Sequence, residues 1–268
     1  PDLIVLGHAD SIKKESLEQI KKNFPNIKIS QWFLDKMDGV WKNNKKRFLD
    51  KIRLMDVSFC TTDPKILNIN KRHKVFYIPN PVDISLDDMN VYENKNPEYD
   101  LFFAMSHGVH RGVLKKGKFD KRETFVNQLI KENQNVKFNI FGMKNIQPVW
   151  GDDFKKNLYN SKIALNLSQG KPIKYYSSDR IAQLMGNGIA TFIDKRTQLN
   201  SFFSDDEAIF YNSKKDLNNK IKKLLKNNKL RNKIAKKGKI KYHTKYNSTI
   251  VADFIVSKTF NFQKKFSW

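Results

Sequence analysis

Cys60 is the only cysteine in 268 residues. A lone thiol forms no internal disulfide and no thiolate metal cluster, which excludes a disulfide-stapled secreted scaffold and points to a reducing cytosol. The five histidines, at 8, 73, 107, 110 and 243, show no HExxH or other paired metal spacing, so no metal cofactor is expected. No window approaches the ~18 consecutive apolar residues of a membrane span. Acids are also scarce. Against 51 Lys and Arg stand 27 Asp and Glu, a net charge of +24. The opening "PDLIVLGHAD" lacks an initiating Met and a basic n-region, so it reads as the inside of a domain whose leading strands are missing, not as a signal peptide.

What is present suffices for a large core: 39% of residues are hydrophobic and 20 are Phe. The positive charge is unevenly spread. Residues 214–245 hold fourteen Lys or Arg and one acid, Asp216, which is over half of the net excess. Such a balance suggests an anionic partner, or else a composition biased toward lysine, and both readings stay open.

The pattern along the chain alternates. "LIVLGHAD", "NIKISQWF", "DVSFCTT" and "KVFYIPNPVD" read as strands, separated by helical "SIKKESLEQIKKNF" (capped by Asp10 or Ser11), "FLDKIRLM" and a helix opened by Asp63 and Pro64. Residues 84–98, polar and irregular, read as a linker. Strands "YDLFFAM", "VKFNIFGM", "KIALNLS" and "IATFID" then alternate with helices, and lysine-rich helices and a last helix over about 247–260 close the chain. Alternation of this kind means parallel open sheets. The expected architecture is α/β, with two Rossmann-like domains whose sheets face across a cleft: an incomplete N-terminal domain at 1–90, a C-terminal domain at 91–250, and a tail at 251–268 returning to the first. Ligands of doubly wound sheets bind at the carboxyl ends of the strands.

One of those ends carries "YYSSDRIAQLMGNGIATFID", residues 175–194. Tyr176, Ser177, Ser178 and Asp179 lead into a helix whose Ile181, Leu184 and Met185 face the core. Free N–H groups at such a terminus receive anions, and Arg180 adds a charge with bidentate geometry for phosphate. The alternative reading is a serine cap, with Asp179 favouring the helix dipole.

This stretch, followed by "DEAIFY", "DLNNKIKKLL", "LRNKIAKKG" and "HTKY", resembles the C-terminal half of GT-B glycosyltransferases. The closest branch is the spore-maturation (CgeB-like) group related to glycosyltransferase family 4. The resemblance covers about residues 99–255 and, more loosely, 55–83. It implies that amides near Ser177, Ser178 and Asp179 hold a nucleotide's diphosphate and that position 183 meets the ribose. The family usually has Glu there, where this chain has Gln183, and Tyr175 takes the place of the first Glu of the family 4 pair. The loop "AMSHGVHRGVLKKGKFDKRETF" offers His107 and, for the diphosphate, Arg111 and Arg122. The lysines within 115–121 read as a solvated loop. Gly142 stands where a base or ribose could approach closely, or is a plain strand-ending glycine.

In the first half, His8 and Asp10 are the candidate bases for an acceptor hydroxyl, with Asp35 and Asp38 as weaker alternatives. Their other reading is a packed histidine and a helix cap. Asn80, between two prolines, shapes the hinge or turns its side chain to the cleft. The function these readings imply is metal-independent transfer of a sugar from a nucleotide-diphosphate sugar to a glycan, lipid or protein acceptor. No cofactor or nucleic acid is expected, and the protein is placed in the cytoplasm with peripheral contact to an anionic membrane open to it. Leu217, Ile221, Leu224 and Leu225 form a stripe that suits either that surface or the sheet. The rival readings are a non-catalytic binding module of the same fold and a basic protein that binds anionic surfaces.

Overall fold

A computed structural model describes residues 1–8, 10–38, 42–106 and 121–268. The chain divides into two compact units. Pro1–Pro81, Ile173–Asp179 and Lys245–Trp268 form unit 1, and Val82–Pro172 with Arg180–Thr244 forms unit 2.

Unit 1 is built on four parallel strands, β1 (Leu3–Gly7), β2 (Lys28–Phe33), β3 (Val57–Cys60) and β4 (Val75–Tyr77), in that spatial order. Ser30 is opposite Val5 on one side and Val57 on the other. Every residue of β3 is buried, as a central parallel strand covered on both faces requires. Helix α1 (Lys14–Asn23) buries Leu17 against Leu6, Ile27 and Ile29. Helix α2 (Lys42–Asp50) sends Phe48 and Leu49 against Phe33, Met37, Cys60 and Leu67. The late helix α8 (Ser248–Phe260), capped by the Asn247 side chain, brings Val251, Phe254 and Ile255 at helical spacing onto Val57, Phe59 and Ile78. Phe254 meets Phe59 and Phe76 edge-on, at 5.8 and 6.1 Å.

Unit 2 holds five parallel strands: β5 (Tyr99–Ala104), β6 (Phe138–Phe141), β7 (Ser161–Asn166), β8 (Ala190–Asp194) and β9 (Ile209–Tyr211), in the order β6-β5-β7-β8-β9. The two faces follow from alternation along β5. Leu101 and Phe103 pack with Val126 and Leu129 of α3 (Lys121–Glu132), with Leu217, Ile221 and Leu224 of α6 (Lys214–Leu225) and with Ile234 of α7 (Asn228–Lys245). Phe102 and Ala104 face the opposite way, toward Leu158 of α4 (Gly151–Tyr159) and Leu184 of α5 (Arg180–Gly186).

Several local expectations are corrected. Asp10 and Ser11 do not cap α1: the helix starts at Lys14 after Lys13, with no side-chain cap, because Asp10 is held by Arg47. Asp63 and Pro64 open a single 3-10 turn, Pro64–Leu67, in which the Asp63 carboxylate accepts from Lys65 N at 3.0 Å. Residues 84–98 are not a free linker. The buried Asn187 side chain bonds to Asp87 Oδ1 (3.0 Å) and to Met89 N (3.2 Å), and its carbonyl accepts from Val91 N, so Val91 joins the core of unit 2. The stripe on α6 is core: Leu217, Ile221 and Leu224 are buried on the sheet, which withdraws that face from any bilayer. No helix among the described residues is long and apolar enough to cross a membrane.

Gly142 ends β6 with φ +79°, and a Cβ there would fall 1.7 Å from the Met105 carbonyl oxygen. The need for glycine thus comes from the neighbouring backbone just after β5. Gly142→Ala should lower stability by at least ~2 kcal/mol, combining left-handed strain of about 1–3 kcal/mol with the clash. Thermal unfolding should fall by about 4–8 °C or more, since 1 kcal/mol shifts a chain of this size by ~2–4 °C. Gly7→Ala, where no atom lies within 4 Å of the built Cβ, should stay within ~0.5 kcal/mol of the parent. Equal melting of the two variants would remove the backbone approach as the reason.

Candidate functional site

In unit 2 the chain passes from β5 to β6 on one side of the sheet, then returns to place β7 on the other side of β5. Strand order therefore reverses between β5 and β7. In open parallel sheets ligands bind outside the carboxyl ends of the strands at such a reversal, because the two flanking connections diverge there. Arg180 is fixed at this place. Its Nη1 donates to the Leu167 carbonyl just beyond β7, at 3.1 Å, and its Cζ lies 5.7 Å from the centre of the Phe103 ring on β5. One bond and one ring thus anchor a guanidinium at the carboxyl ends of both strands that frame the reversal. The next residues explain why the helix holds it. Ile181, Ala182, Leu184 and Met185 are all buried, which clamps α5 to the sheet, while Gln183 alone in 181–190 is exposed.

The other residues expected on this side separate. Arg122 sits in the first turn of α3, buried to 7% exposure and already partnered. Gly142 is at the end of β6, filled by the Met105 carbonyl as described. His107 and Arg111 lie outside the described residues.

Ile173–Asp179, which leads into α5, belongs to unit 1 and is strapped to the ends of β3 and β4. Asp63 N donates to the Lys174 carbonyl (3.2 Å), and Lys174 Nζ pairs with Asp63 at 2.8 Å. Tyr175, at φ +63°, meets the Tyr77 ring at 5.4 Å. Asn80 is buried, and its amide donates to the Ser177 carbonyl at 3.0 Å. Asn80 therefore positions the strap. Ser177 is buried with its hydroxyl on the Ser178 carbonyl, Tyr176 and Ser178 are half-buried, and Asp179 is exposed.

A second cluster lies at the carboxyl ends of β1 and β2. Arg47 of α2 gathers three groups: Nη2 pairs with Asp10 Oδ2, Nη1 donates to Asp35 Oδ2 at 3.0 Å, and Nη2 lies 3.3 Å from His8 Nδ1. Arginine has no acceptor, so His8 Nδ1 accepts and the ring proton sits on Nε2, which lies 3.7 Å from Asp35 Oδ2. Phe33 supports both groups: its ring stacks on His8 at 5.1 Å and carries the Arg47 guanidinium at 5.4 Å. His8 holds φ +51° to reach this place. Asp38 is apart, paired with Lys36 at 2.9 Å. Sequence reasoning missed Arg47. The one available signal was a single Arg among the lysines of "KNNKKRFLD", a substitution that matters where two carboxylates must be forked.

The hydrogen bond from Arg47 holds the Asp10 carboxyl below the ordinary carboxylate range, against the smaller opposing pull of burial. That bond favours a charge carrier and weakens Asp10 as a proton acceptor. Among the described residues, no three His, Cys, Asp or Glu side chains gather as a metal set.

A family model described as glycosyl transferase-like matches residues 121–257. No curated protein sequence matches significantly. Solved structures resemble the chain over nearly its whole length. Sucrose-phosphate synthase of Thermosynechococcus elongatus is 11% identical with a TM-score of 0.62, over 97% of this chain and 73% of that one. Anabaena HepE in complex with UDP is 11% identical with a TM-score of 0.61, over 97% and 79%. A variant of S. aureus TarM, solved with fondaparinux, α-GlcNAc-glycerol and UDP, is 15% identical with a TM-score of 0.58, over 93% and 56%. The present chain thus spans little more than half of TarM. At these identities the likeness shows the fold, which is of the GT-B type.

The Arg47 cluster makes a pH prediction. A carboxyl depressed in the folded state contributes stability above its unfolded pKa, and loses that contribution as pH falls through the folded value. Side-chain carbon NMR should therefore show Asp10 titrating below the ordinary carboxylate range, and Arg47→Gln should return it upward. An unchanged Asp10 titration in the variant would show that the pair does not form in solution.

Proposed function

Since the chain belongs to the glycosyl transferase-like family, we propose that it moves a sugar from a nucleotide-diphosphate sugar to a glycan, lipid or protein acceptor, without a metal. The observation that carries this reading is Arg180, anchored where the strand order of unit 2 reverses. The solved relative HepE is described with UDP and with UDP-glucose, which makes uridine nucleotides the first donors to test. Within the family, the run "SDRIAQLMGNGIATFID" with "DEAIFY" and "HTKY" supports the spore-maturation (CgeB-like) branch related to glycosyltransferase family 4.

In the proposed reaction the bond between the anomeric carbon and the diphosphate oxygen breaks, and the acceptor oxygen bonds to that carbon. Negative charge grows on the departing diphosphate, and a preorganised guanidinium at Arg180 stabilises it more in the transition state than in the ground state. Arg122 is the proposed second cation of this side, with the amides of 176–179 as neutral donors. Gln183, exposed on the outer face of α5, accepts from a ribose hydroxyl through its amide oxygen. For an inverting course the acceptor's proton passes to His8 or Asp10, whose arrangement is set by Arg47. Arg47's hold on all three acid–base groups, and Gln183 in place of Glu, favour the second reading, a nucleotide-binding module without turnover.

Calorimetric titration of the intact protein with UDP-, GDP-, ADP- and CMP-linked sugars tests both. Arg180→Ala should weaken the best nucleoside diphosphate by about 1.5–3 kcal/mol, the range for a hydrogen bond to a charged group, and leave the nucleoside unaffected. Gln183→Glu should tighten the nucleotide by about 1 kcal/mol, since a charge-assisted bond replaces a neutral one. No nucleotide binding by parent and variants alike would sink the donor site, and binding without transfer would favour the second reading.

A further inference from the structure

Unit 1 contains an open cavity of about 850 Å³ that neither the Arg180 position nor the Arg47 cluster occupies. It lies at the carboxyl edge of the four-stranded sheet, between α2 and the segments that follow β2 and β3. Met37 and Leu67, both buried, form its floor with Leu49, Ile66 and Ile173. Its polar wall carries Lys14, Lys45, Lys46 and Arg53 against Asp38 and Asp50. Both acids are already matched: Asp50 pairs with Lys14 at 2.8 Å and Asp38 with Lys36 at 2.9 Å. Lys45, Lys46 and Arg53 form no ion pair among the described residues. Three cations of one sign thus rim one apolar-floored hollow whose volume falls in the range of small-molecule sites, about 300–1,000 Å³.

Like charges gathered without counter-charge repel, and a concave, low-dielectric wall strengthens their field on whatever enters. A ligand that relieves this repulsion carries negative charge. One that also uses the floor presents a non-polar face, as the C–H face of a pyranose does. We propose that this cavity is a subsite for an anionic saccharide, a sugar bearing a phosphate or a carboxylate, with Lys45, Lys46 and Arg53 receiving the anion and Met37, Leu49 and Leu67 the ring face. Calling that saccharide the acceptor rests on the transferase reading above, whereas the binding does not.

The test is titration of the full chain, by protein-observed NMR or calorimetry, with glucose 6-phosphate, glucuronate, glucose and inorganic phosphate. Glucose 6-phosphate or glucuronate should bind at least ~10-fold tighter than glucose, as one charge-assisted hydrogen bond implies. The better of the two identifies the anion as phosphate or carboxylate. Inorganic phosphate, which cannot use the floor, should bind more weakly than glucose 6-phosphate. The triple variant Lys45→Gln, Lys46→Gln, Arg53→Gln should lose at least ~10-fold for the anionic sugar and keep its UDP affinity within about twofold. Should that variant fold poorly, the exposed Lys46→Gln alone should still weaken binding about threefold. Glucose binding as tightly as both anionic sugars, inorganic phosphate equalling glucose 6-phosphate, or full affinity in the folded variants would each overturn the proposal. Anionic-sugar binding by a protein that binds no nucleotide would keep the subsite and remove the transferase reading.

Discussion

The parallel pairing of β5 with both β6 and β7 is the constraint on which unit 2 depends. A strand hydrogen-bonded on both edges and covered on both faces must be apolar throughout, and Leu101, Phe102, Phe103 and Ala104 are all buried. Right-handed crossovers to either side of such a strand force the connections apart at its carboxyl end. Arg180 is held at that divergence by the carbonyl just beyond β7 and a β5 ring, so its place follows from the sheet and not from the loop that carries it. The same packing pulls residues 87–92 into the unit through Asn187, a buried amide with partners on its oxygen and nitrogen.

Unit 1 depends in a similar way on Arg47. Two aspartates and a histidine at neighbouring strand ends would repel or drift without a cation forked between them, and Phe33 gives that cation a surface to lie on. The cost of this order is chemical: an aspartate held by a guanidinium is a poor base. Whatever acid–base work the cluster does is therefore governed by how firmly Arg47 is held by α2.

The positive charge takes on a different meaning once the side chains are placed. Lys239 is partly buried, with its ammonium on the carbonyls of Asp88 and Met89 and on Asn90 Oδ1, and burial lowers its pKa. Lys220 bonds to the Phe210 carbonyl and to Asp216, and the buried Arg231 bonds to the Leu224 carbonyl and to Asn228. Part of the basic excess in 214–245 therefore closes helix ends and strand ends inside unit 2. Lys45, Lys46 and Arg53, outside that segment and less conspicuous in the chain, face a cavity and form no ion pair among the described residues.

The sequence alone determined the α/β class, the parallel sheets and the burial of α5, because runs such as "LFFAM" and "IATFID" and the spacing of Ile181, Leu184 and Met185 are short-range signals of period and apolarity. It also pointed to Arg180, since an arginine at a strand-to-helix passage has a readable chemical preference. Only the tertiary structure decided what surrounds each residue. The reason for Gly142 is a carbonyl 37 residues earlier, Asn80 is engaged by a carbonyl 97 residues later, and Asp10 leaves its helix for an arginine 37 residues on. Those partners are set by which strands lie side by side, and strand order is a long-range property that local periodicity does not encode.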